Sequence, residues 1–162
     1  MPALAHLGIG FATKRFAPQI PLWILLISSM ALDLLSGVFF FALWINHGLF
    51  MSVVWTIIFM LITMLITYHL KSKKENNISF FNIETWTIST IVGFVVFSHF
   101  ILDFIGWPMS VLDSNATGVP LLFNDNINIG LGVYSTWVGA LSMDLGVFTV
   151  GLVIYIHYKL KK

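Results

Sequence analysis

Four ionisable side chains lie deep inside long apolar stretches of this sequence, where a charge is costly. Asp33 and Asp144 each lie near the middle of such a stretch, and His99 and Asp103 share a third one. A charged group at the centre of a membrane helix costs at least about 2.5 kcal/mol on insertion scales. Hydrogen bonds between membrane helices contribute only about 0.6 kcal/mol on average, so mutual pairing does not offset that cost. The four residues therefore favour a function over an accident of sequence.

The spacing of His99 and Asp103 is compatible with a metal site. Residues four apart on a helix project from one face, about 40° from each other. With Asp33 and with His47, which opens the next predicted helix, they form a ligand set of oxygen and nitrogen. Such a set suits a divalent metal ion, with zinc favoured and manganese or iron as alternatives. The spacing alone is a weak signal, and no His-Glu-x-x-His pattern is present.

Asp144 and His6 are the candidate general bases for a reaction at such a metal. His6 lies in an apolar segment near the start of the chain, over residues 3–11. If this segment is a short helix that dips into the membrane, His6 can approach Asp33. If it lies on the membrane surface, His6 cannot reach the other residues.

Two other functions fit the same residues. Buried Asp and His chains also mark proton or ion pathways, so the chain is alternatively a small transporter or channel. Four membrane crossings are few for that purpose, so transport would require a homodimer. In the third alternative, the polar side chains only specify helix pairing, and the protein is a non-catalytic membrane scaffold.

The composition identifies lipid as the main solvent of the chain. Of 162 residues, 58% are hydrophobic and 9% are charged, whereas a soluble domain carries about 25% charged residues. There is no cysteine, which excludes disulfides, thiolate metal sites and thiol redox chemistry. The formal net charge of +1 makes nucleic acid an improbable partner. The length suits a single integral membrane domain over residues 1–162.

Apolar length predicts an all-α fold, a four-helix transmembrane bundle preceded by the short N-terminal apolar segment. A bilayer core of about 30 Å needs about 20 apolar helical residues. The predicted spans cover residues 20–45, 49–69, 84–107 and 131–158. All eight Lys and Arg residues fall before the first span, between the second and third, or after the fourth. Because basic residues remain on the cytoplasmic side, both termini are predicted to be cytoplasmic.

Several short segments resemble a bacterial inner-membrane family described as metal-dependent hydrolases, the YdjM-like group. The segment Ser98-His99-Phe-Ile-Leu-Asp103 resembles its Ser-His-x-x-Leu-Asp motif. Ala5-His6-Leu-Gly-Ile-Gly, Ala31-Leu-Asp33-Leu-Leu and Asn46-His47-Gly-Leu-Phe-Met-Ser52 resemble its other segments, in the same order. The chain departs from the family at Gly48, Leu35 and Trp107, where serine, a second aspartate and sometimes histidine occur. These departures leave open an altered or inactive site.

The resemblance implies a multi-pass protein of the inner (cytoplasmic) membrane that hydrolyses an ester or phosphoester. We expect His47, His99, Asp103 and Asp33 to bind the metal, and Asp144 or His6 to act as the base. The expected partners are the lipid bilayer and an amphiphilic small-molecule substrate.

Overall fold

The computed structural model describes residues 4–43, 52–74, 83–111, 118–122 and 127–161, and these are mostly helical. The helices are α1 (Leu4–Phe16), α2 (Leu22–Ser29), α3 (Ala31–Leu43), α4 (Val53–Lys74), α5 (Ile83–Gly106) and α6 (Trp137–Leu160). Two short strands, β1 (Val119–Pro120) and β2 (Asn128–Ile129), and a 3₁₀ helix at Val133–Ser135 lie between α5 and α6.

Three of the described helices, α4, α5 and α6, are long and apolar enough to cross a membrane. More than half of the apolar window of α5 is buried, but only 11% of the windows of α4 and α6. Large apolar side chains such as Leu65 and Val153 therefore face outward from α4 and α6. Continuous apolar faces of this kind are rare on proteins surrounded by water. The predicted helical class is confirmed, together with three helices of membrane-spanning length and composition.

The first predicted span, residues 20–45, is divided into two helices. α2 ends at Ser29 and α3 begins at Ala31, with Met30 between them at φ −104° and ψ 3°. Neither proline nor glycine causes this interruption. The Ser29 hydroxyl donates a hydrogen bond to the Leu26 carbonyl, and such back-bonding by serine bends helices. The interruption leaves the Ser29 carbonyl at the end of a helix, where it has no intrahelical donor.

The other helix limits lie close to the predicted ones. The second span was expected at 49–69, and α4 covers Val53–Lys74; the third was expected at 84–107, and α5 covers Ile83–Gly106. The fourth was expected to begin at 131, but α6 begins at Trp137, after the 3₁₀ helix. Thr136 caps α6, because its hydroxyl accepts a hydrogen bond from the Gly139 N–H.

α5 lies at the centre of the packing, with α2 and α4 against it and α1 between α6, α2 and α5. Near the middle of α5, Val92 and Val95 pack with Leu25 of α2 in one apolar cluster. Further along, Val96 packs with Leu32 of α3 in a second cluster. Because neighbouring helices bury α5 on several sides, polar side chains on α5 can lie away from the protein surface.

The connection between α5 and α6 folds back over the last turn of α5. β1 and β2 pair antiparallel, and buried Val119 of β1 joins the same cluster as the end of α5. The Leu131 N–H donates to the Phe104 carbonyl, and the Gly132 N–H donates to the Trp107 carbonyl. These hydrogen bonds supply donors to carbonyls that have no partner at a helix end. They also hold the connecting segment over the end of α5 that lies nearest Asp103.

Candidate metal centre

His99 and Asp103 lie on the most buried face of α5. Their exposures are 1% and 5%, and Ser89, Gly93 and Gly106 on the same face are also buried. This face of α5 therefore points into the protein. The His99 Nε2 atom lies 3.5 Å from the Asp103 Oδ2 atom, as expected for side chains one helical turn apart.

The interruption between α2 and α3 orients the His99 ring. His99 Nδ1 lies 3.0 Å from the Ser29 carbonyl oxygen. Because a carbonyl oxygen can only accept, Nδ1 carries the proton in this hydrogen bond. In the neutral ring, Nε2 then presents a lone pair. A bond from the far nitrogen to a backbone carbonyl is the usual way in which a metal-binding histidine is held.

Asp33 approaches the same nitrogen from α3. Its Oδ1 atom lies 3.4 Å from His99 Nε2, and its side chain is 12% exposed. His99 Nε2 thus faces carboxylate oxygens from two helices, Asp33 on α3 and Asp103 on α5. Three electron-rich atoms in contact repel each other unless a proton or a cation lies among them.

α1 brings His6 to the other carboxylate oxygen of Asp103. His6 is 3% exposed, and its Nε2 atom lies 3.6 Å from Asp103 Oδ1. Its ring stacks on that of His99, with centroids 3.7 Å apart and an interplanar angle of 4°. Of the two alternatives for the N-terminal segment, the structure therefore has the packed helix, and His6 reaches the buried cluster.

The ligand atoms of His6, His99 and Asp103 all lie within 4.8 Å of one another. The nitrogen–oxygen separations of 3.4 to 3.6 Å exceed the usual hydrogen-bond length of about 2.7–3.2 Å. Around a tetrahedral ion with ligand bonds of about 2.0–2.1 Å, neighbouring ligand atoms lie about 3.3–3.4 Å apart. Among the described residues, His99 Nε2 and Asp103 Oδ2 are buried without a hydrogen-bond partner. The donor atoms and their spacing thus fit a small divalent cation.

The parallel rings show which side chain must adjust when an ion binds. A metal lies close to the plane of each imidazole that binds it, and one ion cannot lie in two parallel planes 3.7 Å apart. His99 is held by the Ser29 carbonyl, whereas His6 Nδ1 has no hydrogen-bond partner among the described residues. His6 is therefore the ring that would have to tilt for one ion to bind both histidines.

Asp144 lies apart from the cluster. Its Oδ1 atom accepts a hydrogen bond of 2.8 Å from the backbone N–H of Ala5, the residue before His6. Its predicted role as general base stays a prediction. His47 lies outside the described residues, so its predicted role as a ligand also stays a prediction.

Two groups near the cluster were not predicted from the sequence, the Ser29 carbonyl and the Tyr134 ring. The Ser29 carbonyl was missed because a backbone acceptor leaves no sequence signal except the Ser28-Ser29 pair that precedes the helix interruption. Tyr134 was missed because nothing in the sequence around it indicates that it packs near the site. Its ring lies against Gly106, one turn beyond Asp103. Burial, and then the charges of Asp144 and Asp103, raise the pKa of the Tyr134 phenol above its usual range.

No family model, curated protein or solved structure matches this chain.

Proposed function

We propose that this protein is a membrane-embedded metal-dependent hydrolase whose ion is held by His6, His99 and Asp103. The observation that carries the proposal is the arrangement around His99, whose Nε2 faces carboxylates from two helices. A cation at this point removes the repulsion between the carboxylates and supplies the partner that buried polar atoms require. Three protein ligands with a fourth position for water are typical of catalytic zinc sites.

Asp33 is assigned as the residue that accepts a proton. A bound ion lowers the pKa of a coordinated water and polarises an ester or phosphoester oxygen. Asp33 lies beside His99 Nε2 and is more exposed than the three proposed ligands. A carboxylate at this edge can take the proton of the attacking water, while α1 and α5 supply the ligands.

The membrane setting restricts the substrate. We propose four crossings, with α2 and α3 together forming the first, both termini cytoplasmic, and the bacterial inner membrane as the location. The basic residues and the resemblance to the YdjM-like group support this topology. Because Val119, Leu131 and Gly132 lie over the end of α5, an amphiphilic substrate entering from the lipid suits the site.

Turnover by the metal-loaded protein in proteoliposomes tests the proposal. We expect hydrolysis within a panel of ester and phosphoester reporters, lost after chelation and restored by zinc. Asp33→Asn should retain the ion and lose turnover, whereas His99→Ala should lose both. Metal-loaded protein that is inactive on ester, phosphoester and amide panels would contradict hydrolysis.

A relay of protons is the second candidate, and one observation favours it. Asp33, His99, Asp103 and His6 form a continuous series with steps of 3.4, 3.5 and 3.6 Å. Such a series is also what a proton pathway uses. Proton flux into liposomes that is abolished by Asp33→Asn, in protein that binds no metal, would select this function instead.

A further inference from the structure

We infer that Asp144 is a positioning residue, which holds the start of α1 so that His6 lies in the cluster. The inference rests on the proposed metal site, and it assigns Asp144 a different role from that of a general base. It is carried by the contacts between α1 and α6.

The first contact is the hydrogen bond from the Ala5 N–H to Asp144 Oδ1, 2.8 Å long. Ala5 is the second residue of α1, and the first N–H groups of a helix have no partner within it. Ala5 is 0% exposed, so without Asp144 this N–H would be buried and unsatisfied. A carboxylate at a helix N-terminus also interacts favourably with the helix dipole.

The second contact is a close approach of the two backbones. A Cβ added at Gly151 would lie against the backbone of Gly8, and one added at Gly8 would lie 2.5 Å from the Val147 carbonyl oxygen. Glycine at these positions lets the helices touch directly. The two contacts lie on either side of His6 and Leu7, so together they fix the rotation of α1.

His6 depends on this attachment because, apart from stacking on His99 and its approach to Asp103, its ring has no hydrogen bond within the described part of the chain that would hold it. Its Nδ1 atom has no hydrogen-bond partner among the described residues, unlike His99, which is bonded to Ser29. The position of the His6 Nε2 atom is therefore set by α1 as a whole. Moving α1 along or around α6 would remove one of the three proposed ligands.

Asparagine and alanine at position 144 separate positioning from base catalysis. Asp144→Asn keeps an oxygen that accepts the Ala5 hydrogen bond but cannot take a proton at neutral pH. Asp144→Ala removes the acceptor. If Asp144 positions α1, zinc affinity should stay within about threefold of wild type in Asp144→Asn. In Asp144→Ala it should be about 10–100-fold weaker, the range for residues that orient ligands. If Asp144 is instead the general base, both variants should keep the wild-type zinc affinity and lose turnover.

A distance measurement reads the position of α1 without metal. Because the chain has no cysteine, nitroxide labels can be placed at the exposed sites Leu4 and Leu65 by cysteine substitution. We expect the electron paramagnetic resonance distance distribution to broaden in Asp144→Ala and to stay narrow in Asp144→Asn. The control pair, Leu141 on α6 and Leu65 on α4, should not change.

The outcomes are distinct. An Asp144→Ala distribution and zinc affinity equal to wild type overturn the inference. Broadening of the control pair as well shows that Asp144 supports the whole bundle, which also overturns the specific assignment. A wild-type protein that binds no zinc refutes the proposed function, but the distance measurement still decides whether Asp144 holds α1.

Discussion

Replacing Gly151 by alanine should separate α1 from α6. The added Cβ would overlap the Gly8 carbonyl oxygen and lie 2.7 Å from its Cα. Since a Cβ essentially never lies within 3.0 Å of such an atom, the helices must move apart at this point, by about 1 Å for the overlap with the carbonyl oxygen. The obstructing atoms are backbone, so no side-chain rotation relieves the overlap.

Such a displacement is large compared with what a metal site tolerates. Ligand distances are held within about 0.2 Å, and His6 lies only two residues before Gly8. We expect zinc affinity to fall by about tenfold or more, and the free energy of unfolding to fall by about 1–3 kcal/mol, as in other overpacked interiors.

Gly146→Ala is the matched control, because it makes the same exchange in the same helix. A Cβ at Gly146 meets nothing within 4 Å, so its effect on stability should stay within about 0.5 kcal/mol. Denaturant titration in detergent, followed by circular dichroism, and zinc titration against a competing chelator measure both quantities. If Gly151→Ala behaves like Gly146→Ala in both, the close contact of α1 with α6 is refuted.

Three further predictions concern the end of α5 and the start of α6. Gly106→Ala should destabilise the protein by about 1–3 kcal/mol, because its Cβ would overlap the buried Tyr134 ring; an unchanged thermal midpoint would contradict this packing. Burial and nearby carboxylates raise the pKa of Tyr134 in the folded protein. As pH rises, the unfolded chain therefore loses the Tyr134 proton before the folded protein does, and the stability that Tyr134 contributes should decline above about pH 10. Ultraviolet titration should show an ionisation step at high pH that is missing in Tyr134→Phe. Thr136→Ala should cost about 1 kcal/mol through loss of the α6 cap, and Thr136→Ser should restore it.

Apolar length and charge placement were enough to predict the long helices. α5 was expected at 84–107 and covers Ile83–Gly106, because Pro108 and an apolar run define both ends. The division of the first span was not predictable from composition. Residues 20–43 are mostly apolar, and serine back-bonding such as that of Ser29 to Leu26 also occurs in uninterrupted helices, so it does not by itself predict a break at Met30.

The candidate site was predictable where its residues share one helix. His99 and Asp103 follow from i, i+4 spacing alone. The position of His6 could not be decided from sequence, because it depends on where α1 packs. That packing rests on a hydrogen bond between Ala5 and Asp144, 139 residues apart, and on two glycines that carry no chemical signal of their own.

The most direct test of the metal site is the metal content of detergent-purified protein. Elemental mass spectrometry should find about one zinc, manganese or iron per chain in the wild type, as a single three-ligand site predicts. His99→Ala should lose the ion, whereas His157→Ala, which changes an exposed histidine at the end of α6, should retain it. Wild-type protein without metal after supplementation, or equal metal content in His99→Ala, would contradict a metal centre at His6, His99 and Asp103.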